Sequence, residues 1–276
     1  MPVSLEFLSV PTLAIIARRE EEIRNFVPKP YYGIGVRLGN PPLTFTWRDG
    51  ASGSYRSFDK GRVEALVETM KKAGSGTVTE VKRTPKKTYA PQLYDLTELQ
   101  REANRRFDFS AKETLNIMQR LYENHKVLTY PRTDSRYLSS DIVPSIRERL
   151  EACAVGPYRK LAGRLVNQKI VAKPSFVDDK KVSDHHAIIP TEQYVQLDHM
   201  TVEERKIYDL VVRRFLAVLY PPFEYEQTEV TVNLAGETLA AKGKIVKNPG
   251  WKEVYDGQDG DLTADESIPL FSAICT

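Results

Sequence analysis

The spacing of apolar residues separates this chain into helical and extended stretches. Between residues 10 and 26, VPTLAIIARREEEIRNF has a proline near its start and then an apolar stripe at Leu13, Ile16, Ala17 and Ile23, the pattern of one amphipathic helix. The text then changes to YYGIGVRL and LTFTW, short aromatic and β-branched runs separated by GNPP, which predicts a hairpin. After DGASGS a helix is expected over 61–72. It is followed by TVTEVKRTPKKTY, whose alternation predicts a strand bearing Lys82, Arg83, Lys86 and Lys87 as a solvated face. In the middle of the chain, Asp95 with Glu98, Ser110 with Glu113 and Thr201 with Glu204 have the spacing of reciprocal N-terminal caps, so three helices should begin there. The second, over 111–124, places Leu115, Met118, Leu121 and Tyr122 on one face, and VLTY follows it as a short strand ending at Tyr130. The third, over 202–219, has a broad apolar face of Ile207, Leu210, Val211, Phe215, Val218 and Leu219 and stops at Pro221 and Pro222. EYEQTEVTVNL and ETLAAKGKIV then alternate as strands, before GWKEVY and the acidic turn DGQDGDLTADES. A helical middle flanked by strands is an α+β arrangement, a strand-rich unit interrupted by a helical insertion.

Composition narrows the class. With 276 residues, 41% hydrophobic and 28% charged, the chain exceeds one typical domain and can bury a sizeable core. It has no apolar run long enough to span a bilayer and no leader pattern, so no membrane partner is expected. Two cysteines, Cys153 and Cys275, cannot make a four-thiolate zinc site or a disulfide framework, which suits a reducing cytoplasm. A net charge of +3 decides nothing about an anionic partner, so local clusters must.

One cluster is KVLTYPRTDSRYLSSD, residues 126–141. Pro131 disfavours the helical region for Tyr130, which holds the tyrosine extended and presents its ring. Arg132 and Arg136 offer planar donor forks suited to phosphate oxygens, and Thr133, Ser135 and Ser139 can donate hydroxyls to a nucleic-acid backbone. A phenol is a weak nucleophile at neutral pH, and neighbouring cations favour its phenolate. The same residues also suit a surface turn in which Asp134 and the serines cap a helix and the arginines are solvated.

A second cluster is SDHHAIIPTE, residues 183–192. Neighbours on an extended segment face opposite ways, so His185 and His186 should not serve one site together. At most one of them reads as catalytic; the alternative is that both are structural, one hydrogen-bonded and one exposed. Asp-His-His also marks manganese phosphoesterases, but those need further ligands and only His125 and His199 remain.

TYPRTDSRYLS followed some fifty residues later by DHHAIIPT resembles the active-site region of type IA DNA topoisomerases, especially the topoisomerase III branch. LYDLTELQREANRRFDFSAKETLNIMQRLYE, VPTLAIIARREEEIRNFVPKPYY and GWKEVY are similar to further segments of that family, so nearly the whole chain is covered. The resemblance implies that Tyr130 attacks a phosphodiester of single-stranded DNA to form a 5′-phosphotyrosine and release a 3′-hydroxyl. It implies that Arg132 positions the tyrosine and the scissile phosphate, and that His185 hydrogen-bonds that phosphate. Thr133, Asp134, Ser135, Arg136, Arg101, Arg105 and Arg106, with the aromatic Tyr94, Phe107 and Tyr137, are candidates to line the strand-binding groove. Arg101–Arg106 reads equally as a solvated helix face.

The implied domains are a gate-side helix at 1–28, a discontinuous strand-rich arch at 29–90 and 221–262, a helical, winged-helix-like, tyrosine-bearing domain at 91–220, and a return segment at 263–276. The family's Toprim domain, which supplies a glutamate, a lysine and an acidic magnesium site, has no counterpart here, and the match begins at Pro11. The expectation is a truncated reading frame or expressed fragment that binds no metal itself, its Mg²⁺ belonging to the complete enzyme and its Toprim domain supplied by a longer chain or in trans. The acidic Asp256, Asp259 and Asp261 are assigned no metal. The alternative is a noncatalytic single-stranded-DNA-binding module with the same fold.

Overall fold

The computed structural model describes residues 6–39 and 43–255; Asp256, Asp259, Asp261 and the 263–276 segment lie outside these. The fold is α+β, with one sheet whose neighbouring strands are, in order, β1 (Gly35–Leu38), β2 (Leu43–Arg48), β5 (Glu237–Asn248), β4 (Phe223–Leu234) and β3 (Thr77–Thr88). The described residues divide into two compact units, one running to Lys82 and including Glu229–Lys242, the other comprising Arg83–Thr228 and the residues from Gly243. Three strands, β3 (Thr77–Thr88), β4 (Phe223–Leu234) and β5 (Glu237–Asn248), pass along their length from one unit to the other. β4 and β5 are joined by only Ala235 and Gly236, both at positive φ (57° and 84°), the backbone of a tight hairpin turn whose twist matches the strands.

In the first unit, helix α1 (Glu6–Arg24) forms where the period predicts it, but Leu13, Ile16 and Ile23 are exposed rather than packed. β1 (Gly35–Leu38) and β2 (Leu43–Arg48) form the expected antiparallel hairpin, with Gly35 opposite Thr46. Alternation along β2 buries Leu43, Phe45 and Trp47 on one face, and Trp47 sits opposite Leu239 of β5. The fully buried indole donates to Glu237 Oε2 at 2.7 Å. Helix α2 (Lys60–Ala73) begins on the Asp59 carboxylate, which accepts from Arg62 N, and ends at Gly74 in the left-handed conformation.

The second unit packs five helices around one apolar cluster: α3 (Leu96–Phe107), α4 (Ala111–Glu123), α5 (Ile146–Cys153), α6 (Arg159–Val166) and α7 (Val202–Leu219). Ser110–Glu113 and Thr201–Glu204 are complete capping boxes, each fixing a helix start by about 1 kcal/mol. Asp95–Glu98 is only half of one. Asp95 accepts from Glu98 N at 2.7 Å, but the Glu98 carboxylate turns to Arg101 and Arg136. On α4 the buried side is Thr114, Ile117, Met118 and Leu121, rotated from the expected face, so that Tyr122 comes out exposed. α7 is buried nearly all round, with Tyr208 and Val212 joining the expected Ile207, Leu210, Val211 and Phe215, while Val218 and Leu219 are only partly covered. The 3₁₀ turn Gly250–Tyr255 locks onto the end of α7 through Trp251 N, which donates to Pro221 O at 3.0 Å.

Candidate active site around Tyr130

The approach to Tyr130 is fixed from both ends. α4 closes with Asn124 and His125, whose amides both donate to Arg120 O. Lys126 then takes a positive φ of 58° and turns the chain back, and Val127 N bonds Leu121 O at 3.0 Å. Under this turn lies Glu204, nearly fully buried at the start of α7. It accepts from Arg120 Nε at 2.8 Å, meets His125 Nε2 at 3.2 Å and accepts from Thr201 N at 2.9 Å. Burial raises the Glu204 carboxyl's pKa, but the bonds from Arg120 and Thr201 outweigh this and the net direction is down.

The segment that follows is extended but is not the short strand read from VLTY. It forms one isolated bridge, Leu128 with Pro190, because its ladder is completed by a side chain. Thr129 N donates to Ile189 O at 3.0 Å, and the Thr129 hydroxyl accepts from Ile189 N at 3.0 Å and donates to Ala187 O at 3.3 Å. The apolar Ala187-Ile188-Ile189 run is fully buried and also pairs with Tyr137 O and Tyr94 O, so it forms the floor on which both motifs rest. Thr133 joins the motifs directly, donating Oγ1 to His185 O at 2.9 Å.

The result is an aromatic group at the rim. Tyr130 is half-buried, and its hydroxyl makes no hydrogen bond among the described residues. The His185 ring lies against it with centroids 4.3 Å apart and planes 38° apart. Tyr122 meets it edge-on, centroids 5.5 Å apart and planes at 81°. Arg132 is exposed and makes no hydrogen bond or ion pair among the described residues. His186 turns the other way, Nδ1 donating to Ala187 O at 2.7 Å, and burial lowers its pKa. The two histidines thus part as alternation along an extended segment requires.

Other candidates are spent on the fold. Thr133 and Ser135 are buried, and Ser135 Oγ donates to Lys181 O at 2.8 Å, so their hydroxyls hold the loop rather than face solvent. Arg136 is committed to Asp95 Oδ2 at 2.7 Å and Glu98 at 3.2 Å, and the bond to Asp95 holds its pKa up. Asp134 remains exposed, within 3.4 Å of Ser183 Oγ. Arg101 pairs with Glu98, and Arg105 and Arg106 both pair with Glu102, which neutralises much of this side of α3. Tyr94 is not a stacking platform: it is buried, with its hydroxyl accepting from Arg214 Nη2 at 2.8 Å. Phe107 packs against Phe109 and the core, and Tyr137 carries Lys181 Nζ 4.3 Å above its ring.

Tyr122, which its helical period places with the core, and His125 and Glu204 also surround Tyr130 or the turn that leads to it. The signal for Glu204 is its capping box with Thr201, since a buried glutamate at that position needs more than one donor; His125 reaches it from seventy-nine residues away, with no local signal. Among the described residues no three His, Cys, Asp or Glu side chains converge to hold a cation. No helix among the described residues is long and apolar enough to cross a membrane.

The sequence model of a family described as DNA topoisomerase matches residues 8–273. DNA topoisomerase 3 of Bacillus thuringiensis strain Al Hakam is 56% identical over 269 residues, covering 97% of this chain and 36% of the relative. DNA topoisomerase 3 of Bacillus subtilis strain 168 is 51% identical over 254 residues, covering 92% of this chain and 34% of the relative. The solved structure of full-length topoisomerase I from Thermotoga maritima superposes with a TM-score of 0.64 over 94% of this chain and 41% of its own, at 23% identity, a likeness of fold. The chain therefore spans about a third of the length of the curated relatives it matches, and it belongs to the type IA DNA topoisomerase family, in its topoisomerase 3 branch.

Proposed function

We propose that these residues form the tyrosine-bearing centre of an enzyme that cleaves and rejoins single-stranded DNA through a 5′-phosphotyrosine. The observation that carries the reading is a phenol at the rim of a buried floor, unbonded, with an imidazole against its face and a nearby arginine left uncommitted. In the forward step the Tyr130 oxygen bonds to phosphorus and loses its proton, the bond from phosphorus to the 3′ oxygen breaks, and that oxygen takes up a proton and leaves as a hydroxyl. Rejoining is the reverse, which conserves the phosphodiester. Arg132 presents a two-pronged donor to the phosphate and, with His185, offsets charge developing on its oxygens. Thr133 sets His185 in register with the tyrosine loop. A Toprim domain, in a longer chain or in trans, supplies the magnesium and the acid for the leaving oxygen. A reducing cytoplasm suits this reading, because the buried thiol of Cys153, its pKa pushed up to about 12 by burial, is free.

The test joins this chain to a Toprim domain by exchanging it for the matching segment of the Bacillus subtilis enzyme. Relaxation of negatively supercoiled plasmid is expected, and Tyr130→Phe should abolish it while single-strand affinity stays within about twofold, since only one oxygen is lost. Undiminished relaxation by Tyr130→Phe would reject the nucleophile. Single-strand binding without relaxation or adduct in the parent protein would instead support a noncatalytic binding module.

A further inference from the structure

Tyr122 is the single aromatic residue of α4, eight positions before Tyr130, and nothing in the proposed reaction uses it. Its neighbour Leu121 is fully buried, and the helix start is pinned by the Ser110–Glu113 box, so the ring is carried on a rigid element. Tyr122 is 38% exposed, yet its ring stands edge-on to the Tyr130 ring at 5.5 Å and 81°. Its hydroxyl makes no hydrogen bond among the described residues, so the interaction belongs to the ring. A tyrosine at the end of an extended segment samples several staggered χ1 wells unless neighbours exclude them. Here two rings from different parts of the chain touch the phenol ring, His185 against one side and Tyr122 at another. His185 follows the exposed 183–184 turn and also has a phosphate to serve, whereas Tyr122 has no other task.

We infer that Tyr122 is a positioning residue, whose aromatic ring holds the Tyr130 phenol in the orientation needed for in-line attack on phosphorus. The inference rests on Tyr130 being the nucleophile. Edge-on aromatic pairs have a preferred geometry that an aliphatic side chain of similar bulk does not reproduce. Misorientation of a nucleophile lowers the rate of bond formation without changing how tightly the substrate is held.

The experiment uses the Toprim-joined protein and a labelled single-stranded oligonucleotide at saturating concentration, with single-turnover adduct formation as the rate and fluorescence anisotropy as the affinity. Tyr122→Ala and Tyr122→Leu should each slow adduct formation about tenfold, with affinity changed less than about twofold, and Tyr122→Phe should restore the rate. The leucine variant keeps the packing volume and so reports even where alanine loosens the helix, with thermal melts verifying each fold. A leucine variant as fast as the parent would overturn the aromatic argument, and a phenylalanine variant as slow as alanine would assign the effect to the hydroxyl and overturn it too. Losses confined to affinity would make Tyr122 a DNA contact instead. An adduct absent from the parent, or surviving Tyr130→Phe, breaks the nucleophile reading; an adduct on Tyr130 formed at the parental rate by Tyr122→Ala breaks this inference alone.

Discussion

Arg136 and Arg132 lie four residues apart in the same loop and should separate cleanly on mutation. Arg136 Nε donates to Asp95 Oδ2 at 2.7 Å and Nη2 reaches Glu98 Oε1 at 3.2 Å. Asp95, whose side chain is 11% exposed, also caps α3 through Glu98 N. Arg136→Ala leaves that carboxylate one charged donor short. A hydrogen bond to a charged group contributes roughly 1.5–3 kcal/mol. The Arg136 side chain is itself 37% exposed and screened by solvent, so the expected loss is about 1–1.5 kcal/mol. The chain's two tryptophans make this measurable: Trp47 lies in the first unit and Trp251 in the second, so urea unfolding followed by fluorescence in a Trp47→Phe background reports on the unit that holds Arg136. The second arm is single-strand DNA binding as a function of salt. Removing one phosphate contact should reduce the log–log slope by about 0.7. Arg132→Ala should show that reduction with stability nearly unchanged; Arg136→Ala should show the stability loss with the slope nearly unchanged. If Arg136→Ala instead gives the slope change and leaves unfolding untouched, its pairing with Asp95 is not what holds the loop and the arginine belongs to the DNA.

Three further outcomes follow from single contacts. Glu204→Ala, which strips the turn before Tyr130 of its buried acceptor for Arg120, His125 and Thr201 N, should destabilise the second unit by about 2–3 kcal/mol in the same urea assay. Gly250→Ala should cost more than about 3 kcal/mol or prevent folding, because φ is +49° and an added Cβ would sit 2.2 Å from Pro222 O; a soluble variant melting as the parent would refute that close approach. For His186, burial places the folded pKa below the ordinary 6.5, so the unfolded chain binds its proton first as pH falls. Its contribution is fully present above about pH 6.5 and fades as pH drops toward the folded value, so His186→Asn should shrink the loss of melting temperature between pH 7 and pH 5.

Much of this was legible in the chain because local rules governed it. Ser110–Glu113 and Thr201–Glu204 announced their helices, since the box is satisfied within four residues. Alternation in LTFTW gave the buried face of β2 and separated His185 from His186. What failed was set by partners distant in sequence. VLTY reads as a strand, yet Thr129 Oγ1 replaces a backbone partner and leaves one bridge. Arg136 reads as a phosphate fork, but Asp95, forty-one residues earlier, claims it. Thr133 and Ser135 look available until the backbone of His185 and Lys181 is brought over them. The apolar stripe of α1 predicts the helix, but the exposure of Leu13, Ile16 and Ile23 is not foreseeable from its period. Tyr122 reads as core because a helical period fixes a stripe only to within about one residue, and here the stripe is rotated toward Thr114 and Ile117.

In the proposed reaction one phenol among the chain's fourteen tyrosines becomes joined to DNA. The direct measurement is to trap the covalent adduct of the Toprim-joined protein with a single-stranded oligonucleotide, digest both components, and locate the nucleotide-bearing peptide by mass spectrometry. A 5′-phosphate-linked nucleotide is expected on Tyr130, in a peptide that also contains Pro131 and Arg132. A nucleotide on Tyr122, Tyr137 or any other tyrosine, or one attached through its 3′ phosphate, would contradict it.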